Sequence, residues 1–349
     1  MARTTLLRVR TRLADLAEVA GVSTATVSRV LNGKSNVSRE TRQAVLAALD
    51  QLGYDRPGRD RERSAGLVGL IVPELVNPVF PAFAQYVEHH LSDAGYTPVL
   101  CTQSAGGTTE DEYVETLLEH GVDGIVFVSG LHADTQASRE RYVRLSERGM
   151  PMVLVGGYAE GVDAPFVSAD DSQAADLAVR HLVSLGHRRI GLAAGPARFV
   201  PTQRKRDGFV KALVQHGLAP DAESAGADVV NTLFTLEGGQ AAALELLARG
   251  CTAVVCASDL MALGAIRGAR SQGLVVPRDV SVVGYDDSPL IAFTDPPLTT
   301  VRQPVASMAG AAVAALLTEI GGERAPRTEL LFHPELVVRE STGSAPDPR

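Results

Sequence analysis

The chain has 349 residues, enough for a small head and two larger lobes; 45% are hydrophobic, none is Trp and only 5% are aromatic, so its cores must be aliphatic, as in parallel α/β sheets. Three cysteines (Cys101, Cys251, Cys256) give neither a disulfide framework nor zinc-ligand spacing, MARTTLLRVRTR lacks the apolar core of a signal peptide, and no apolar run approaches the roughly 18 residues that span a bilayer, so a cytoplasmic protein without metal, cofactor or membrane contact is expected. The net charge of −8 speaks against nucleic acid, yet residues 1–63 carry 12 Lys/Arg against 7 Asp/Glu, which describes a small basic module on an acidic body.

In chain order, the first apolar pattern is Leu13, Leu16, Ala17 and Ala20, the i, i+3, i+4, i+7 face of a helix. Gly21 should end it with a positive φ, Ser23 should cap the next helix, and Val22 and Val27 stand at the spacing of a hydrophobic staple. The second helix turns Val27, Val30 and Leu31 inward and leaves Thr24, Ala25, Thr26, Ser28 and Arg29 facing away. A third begins after Ser38, with Val45, Leu46, Leu49 and Leu52 inward. Small residues let such a helix enter a major groove. Arg can pair with guanine O6/N7, and Ser or Thr can reach phosphates or base edges. The pattern alone would also suit any small three-helix bundle.

Residues 1–54 thus form the head, and DRPGRDRERSA at 55–65, with Pro57, Gly58 and Arg56, Arg59, Arg61 and Arg63, reads as an exposed linker. From Leu67 the period changes. GLVGLIV (66–72), TPVLCTQ (97–103), DGIVFVS (123–129) and PMVLVGG (151–157) are strands, with helices at about 79–94 and 136–149 and over EDEYVETLLEHG. The alternation restarts with helices at 171–186, 202–217, 237–249 and 259–273. They precede the strands RRIGLAAG, ADVVNTLF, CTAVVCAS and SVVGYDD. This is the signature of parallel, doubly wound sheets in two lobes, whose ligands sit outside the carboxyl ends of the strands. Residues 66–342 form this body. Helix 305–320, rich in Ala and Gly, suits an interface or a core, and residues 343–349 look like a disordered tail.

ADLAEVAGVSTATVSRVLNG followed by VSRETRQAVLAALDQLGY resembles the head of the lactose-repressor (LacI/GalR) family of bacterial transcription regulators. HLVSLGHRRIGLAAGP, ASDLMALGAIRGARSQGLVVPRDVSVVGYDD, PPLTTVRQP and PELVVREST extend the resemblance to residues 12–342. It implies an N-terminal three-helix helix-turn-helix head on a bilobed body like that of periplasmic sugar-binding proteins. It also implies a homodimer reading a near-palindromic double-stranded operator, as a repressor controlled by a small ligand, a sugar or oligosaccharide. Thr24 and Ala25 fall at the positions that set operator preference, and Thr26, Ser28, Arg29 and Asn32 where the family contacts phosphates or bases. The family's hinge wedges a Leu into the minor groove, whereas no Leu stands between Asp55 and Gly66. Arg59, Arg61 and Arg63 are expected to bind there electrostatically instead.

In the body the resemblance assigns effector contact to Asn77, Pro78 and Phe80, to Ser129, and to Lys205, where many members have Arg. It assigns the same role to Phe234, to Ser258 at a position often held by Asn, and to Asp286 and Gln303. An aromatic platform with acids, amides and bases suits a sugar's apolar faces and hydroxyl edges. Taken alone, Phe80 and Phe234 would fit a core, and Asp170 and Asp171 a helix N-terminus. Two other functions are weaker. A transporter's solute-binding protein leaves residues 13–52 unexplained, and an α/β enzyme lacks a G-x-S-x-G elbow, a P-loop and an acid/base pair.

Overall fold

The computed structural model describes residues 13–31, 37–52, 66–103 and 106–346. The expected linker at 55–65, and with it Arg59, Arg61 and Arg63, lies outside these residues, as does Asn32. The chain divides into two compact units, Met1–Arg63 and Ser64–Arg349.

The first unit is built from α1 (Leu13–Val19), α2 (Thr24–Leu31) and α3 (Arg39–Leu52). Gly21 takes φ +64° at the turn between α1 and α2, a conformation that costs glycine nothing. Ser23 Oγ accepts from Thr26 N at 3.2 Å and Ser38 Oγ from Thr41 N at 3.2 Å, so both expected caps form. Leu16, Val27 and Val45 are fully buried, with Ala17, Val30 and Ala48 beside them. Leu46 departs from the expected inward face: it is 52% exposed, and Ala48 takes its place. One residue on a helix turns the side chain by about 100°, so Val45 and Leu46 cannot both face a core this narrow.

The second unit runs β1 (Gly66–Val72), α4 (Val79–Asp93), β2 (Tyr96–Thr102), α5 (Glu110–Glu119), β3 (Gly124–Val128), α6 (Glu140–Glu147), β4 (Met152–Val155) and β5 (Phe166–Ala169). It continues with α7 (Asp171–Ser184), β6 (Ile190–Ala194), α8 (Val200–Gln215), the short α9 (Ala222–Gly226), β7 (Val229–Asn231), α10 (Leu236–Ala248), β8 (Ala253–Cys256), α11 (Asp259–Ser271) and β9 (Ser281–Asp286). It ends with β10 (Thr299–Arg302), α12 (Val305–Ile320), β11 (Glu329–Phe332) and β12 (Glu335–Val337). The strands form two six-stranded sheets, β11-β5-β4-β3-β1-β2 and β12-β10-β9-β8-β6-β7, parallel except where β12 runs against β10. The first lobe therefore takes back β11 and α12 after the second lobe has begun. The chain passes between the lobes three times, at 169–171, 302–305 and 332–335.

Each sheet is covered on both faces, which is why its central strands are apolar throughout. In the first lobe α4 and α12 lie on one face, through Val87, Leu91, Met308, Val313 and Leu316; α5 and α6 lie on the other, through Leu117, Tyr142 and Leu145. In the second, Leu246, Met261 and Ile266 of α10 and α11 oppose Leu182, Phe209 and Leu213 of α7 and α8. Helix 305–320, left open between interface and core, turns Val305, Met308, Ala309, Ala312, Val313 and Leu316 into the first lobe's core.

The tail at 343–349 needs correction. Ser341 is fully buried, and its Oγ donates to Val282 O at 2.6 Å and accepts from Thr299 N at 2.8 Å. Gly343 N donates to Ser281 Oγ at 3.0 Å, Gly343 O lies 3.1 Å from His187 Nε2, and Ala345 N donates to Leu185 O at 2.9 Å. Residues 343–346 are thus docked on the second lobe, their small polar composition answered by buried hydroxyls and an imidazole, while 347–349 lie outside the described residues.

Candidate functional site

The first site is the outward face of α2. Val27 and Val30, buried at 0% and 6%, hold one side of the helix to the head, which turns Thr24, Ala25 and Arg29 fully outward. Thr26 and Ser28 are half-buried. The Thr26 hydroxyl stands 2.9 Å from Ser23 Oγ inside the cap, so it is less available than the sequence pattern suggested. Arg29 is the cation of this helix, with no acid in its first turn. A helix presenting small side chains, hydroxyls and one guanidinium has the chemistry of a major-groove reader.

The second site is a cleft of about 520 Å³ in the bilobed unit, with walls from both lobes. Eight of the nine effector residues expected from the sequence line it: Asn77, Phe80 and Ser129 from the first lobe, Lys205, Phe234, Ser258 and Asp286 from the second, and Gln303 at a crossing; Pro78 does not, and stands at the N-cap of α4. They arrive from strand ends and the helix starts that follow them. Ser129 follows β3 with φ +47°, and Asp286 ends β9 with φ +113°, conformations that only their surroundings can hold.

Charge in the cleft is largely cancelled. Lys205 Nζ forms a short ion pair with Asp171 Oδ1 and lies 3.8 Å above the centre of the Tyr285 ring, while Tyr285 OH donates to the same carboxylate oxygen at 3.0 Å. Burial, then repulsion from Asp259, holds the Asp286 carboxyl well above the usual carboxylate range, against the pull of Lys205 and of Gln303, whose Nε2 donates to Asp286 Oδ1 at 2.6 Å. Burial also raises Asp259, to about 6, although Ser288 and Thr300 donate to it at 2.5–2.7 Å. A carboxyl kept protonated can donate as well as accept a hydrogen bond. Burial raises Glu74 on the first lobe as well.

Ser258 caps α11, its Oγ accepting from Met261 N at 3.3 Å, and Asn77 Oδ1 accepts from Val79 N at 3.3 Å. Phe234 lies flat on the backbone of Gly195, where a Cβ would stand 2.0 Å from Cζ of the ring, and 6.3 Å from Phe199. The apolar wall is thus Phe80, Phe83, Phe199 and Phe234.

Sequence reasoning missed Asp171, Tyr285, Phe199 and Gln103 as lining residues. Asp170 is the N-cap, accepting from Gln173 N at 2.9 Å, which frees Asp171 to face the cleft. The signal was present in FVSADD: an apolar strand followed by two acids, one more than a cap requires. Among the described residues no cluster of His, Cys, Asp or Glu could hold a metal ion, and no helix is long and apolar enough to cross a membrane.

Comparison with known proteins identifies the family of both units. Residues 12–56 match the model of bacterial regulatory proteins of the lacI family, and residues 179–342 match a periplasmic binding protein-like domain. The chain is 65% identical over 340 residues to the HTH-type transcriptional regulator MalR of Streptomyces coelicolor, covering 97% of this chain and 98% of that protein. It is 34% identical to the HTH-type transcriptional repressor CytR of Escherichia coli K12, covering 95% and 96%. Among solved structures, the CelR–cellobiose complex superposes with TM-score 0.70 at 34% identity, over 95% of this chain and all of that one. The lac repressor dimer bound to operator gives 0.68 at 29%, over 96% and 100%. A three-helix head of the lacI type, a body with a two-walled cleft and this full-length similarity lead to one conclusion: the chain belongs to the lacI family and is a DNA-binding transcriptional regulator under the control of a small ligand.

Proposed function

We propose that the cleft takes an uncharged saccharide of more than one ring, and that its binding sets the operator affinity of a homodimeric, cytoplasmic repressor that performs no catalysis. The observation that carries this reading is the neutralised polar floor beside a phenylalanine wall. Lys205 is spent on Asp171, and Asp286 is held toward its protonated form, so hydroxyls are matched by donors and acceptors and an anion meets no free cation among the described residues that line the cleft. The cavity of about 520 Å³ lies within the range of roughly 300–1,000 Å³ usual for small-molecule sites and leaves room for a second ring. The structural relatives include one holding cellobiose and another, at 27% identity, holding ribose; the cavity size favours the former. Thr24, Ala25 and Arg29, together with Thr26, Ser28, Asn32 and the linker arginines, are the proposed DNA contacts, two heads reading two half-sites.

Calorimetric titration of the full chain with cellobiose, maltose, glucose, ribose and glucose 6-phosphate tests the ligand class. Binding of a disaccharide with a clear preference over the monosaccharides is expected. Tighter binding of the phosphorylated sugar would overturn the reading. Mobility shift of the chain's own promoter DNA, with and without the bound sugar, tests the regulatory half; no shift under either condition would refute it.

A further inference from the structure

Far from the three crossings the lobes touch again, at the mouth of the cleft. Arg198, just before α8 on the second lobe, donates from Nε to Asp134 Oδ2 at 2.7 Å on the first lobe. Its backbone carbonyl accepts from both Thr135 N at 2.9 Å and Thr135 Oγ1 at 2.8 Å, and Asp134 pairs with Phe199 in a one-step antiparallel bridge. β3, which leads into the first segment, stands two places from β5 in its sheet, and β6, which leads into the second, stands three places from β10 in its own. The contact therefore acts on a long arm from the crossings that join the lobes.

The two halves differ in stiffness. The first-lobe half is pinned from behind by a buried carboxylate: Glu110 Oε2 accepts from Leu131 N at 3.0 Å, and Glu110 Oε1 takes a short bond from Tyr142 OH and an ion pair from Arg141 at 3.2 Å. Tyr142 OH in turn accepts from His132 N at 2.9 Å, and His132 Nε2 lies 3.2 Å from Val155 O. Glu110, His132 and Tyr142 are all essentially buried. The second-lobe half carries the cleft wall: the Arg198 guanidinium lies 4.7 Å from the centre of the Phe199 ring, whose neighbour in the cleft is Phe234.

We propose that Asp134, Thr135 and Arg198 form an inter-lobe clamp that holds the cleft mouth closed and positions Phe199 as its wall. Arg198 and Asp134 are positioning residues: they act on the ligand through Phe199 and through the population of the closed form. Carboxylate and guanidinium provide the specific pairing, and the two bonds to a backbone carbonyl fix the register. Opening the lobes breaks all three bonds in one movement, since all depend on one arginine.

Hydrogen exchange by mass spectrometry on the ligand-free full chain tests the clamp independently of what the cleft binds. Arg198→Ala and Asp134→Ala should each speed exchange by about threefold, the scale of a partly exposed ion pair, in peptides spanning 131–137 and in those spanning 196–200. Thr135→Val, which leaves both charges in place, should give a smaller increase in the same two segments. If each variant alters only the segment carrying the substitution, the clamp does not exist. The second arm rests on the proposed sugar site: affinity for whichever of cellobiose or maltose the parent chain binds should fall severalfold in Arg198→Ala. An unchanged affinity together with raised exchange would remove the positioning role and leave the clamp standing. Should either alanine variant fold poorly, Arg198→Lys, which keeps the charge but not the Nε bond, gives the same two-segment readout.

Discussion

The neutral cleft stands on the Lys205–Asp171 pair, and Lys205→Met isolates it. The two side chains are 10% and 7% exposed, so water can replace little of what the substitution removes. Removing one partner of a buried ion pair costs about 3–5 kcal/mol, most of it from the charge left behind. Here Tyr285 OH still donates to Asp171 Oδ1 at 3.0 Å, which places the cost near the lower end, about 3 kcal/mol. For a unit of this size that corresponds to a fall of roughly 5 °C in melting temperature. The double variant Lys205→Met/Asp171→Leu leaves no unpaired charge and should recover most of the loss, since apolar replacement of a buried pair is often neutral. Thermal unfolding followed by calorimetry measures both. Sugar affinity should fall in the single variant, and affinity for glucose 6-phosphate should stay negligible throughout. The reasoning is refuted if Lys205→Met melts with the parent chain, or if the double variant is as unstable as the single one, because either result means that the pair is not the buried, mutually dependent unit described here.

Three further outcomes are expected. Arg29→Ala should weaken operator binding by about 1–3 kcal/mol and relax preference at one base pair if the guanidinium reads a guanine; a uniform loss with a salt slope smaller by about 1 would mark it as a phosphate contact instead. Gly195→Ala should push the Phe234 ring off its seat, because the new Cβ would stand 2.0 Å from the ring, and sugar titration should show weaker binding with the fold retained by circular dichroism. Burial holds His132 neutral in the fold, its pKa lowered to about 3. The unfolded chain therefore binds the proton first as pH falls. Stability should decline below the unfolded value of about 6.5, by up to about 1.4 kcal/mol per pH unit, and level off near the folded pKa. His132→Phe should flatten that slope in urea unfolding series; an unchanged slope would assign it to His181 and His187, whose pKa values burial also lowers.

The elements legible in the sequence were those whose pattern is set by burial. Helix 305–320 was read to the residue, and the apolar strands around Leu70, Val126, Leu154 and Val254 were located because both faces of each sheet are covered. The strands missed were short or at edges. β10 contributes Thr299 and Thr300, whose hydroxyls are satisfied by Arg339 N, Thr342 and Asp259, and β11 and β12 leave Leu330, Leu331 and Val338, just past β12, exposed. Only partners distant in sequence reveal such segments as strands. The same reason hid part of the site. Phe234 and Asp286 could be placed from local pattern and family resemblance, but Asp171 belongs to the cleft only because Lys205, 34 residues on, folds back onto it. Phe199 lines it beside Arg198, whose partner Asp134 stands 64 residues earlier. The linker arginines lie outside the described residues, and their role in the minor groove rests on the sequence alone.

The distribution of contacts between the lobes determines what the ligand can do. A ligand shifts a conformational equilibrium only by the difference in its affinity for the two states, at about 1.4 kcal/mol for each factor of ten. The polar and aromatic groups of the cleft are divided between the lobes: Glu74, Asn77, Phe80, Phe83, Gln103 and Ser129 stand on the first, and Asp171, Phe199, Lys205, Phe234, Ser258, Tyr285 and Asp286 on the second. A ligand that touches one lobe alone gains affinity from it but no bias. Bias comes from a ligand that touches both walls at once, which only the closed cleft allows, while the clamp raises the closed population before any ligand arrives. Asn77 is tied to the start of α4, and Gln103 Nε2 reaches at 3.4 Å the same buried Glu110 that holds the loop before Asp134. Because coupling between sites is reciprocal, an operator that favours the open form would lower sugar affinity by costing the ligand the contacts it makes with both walls at once.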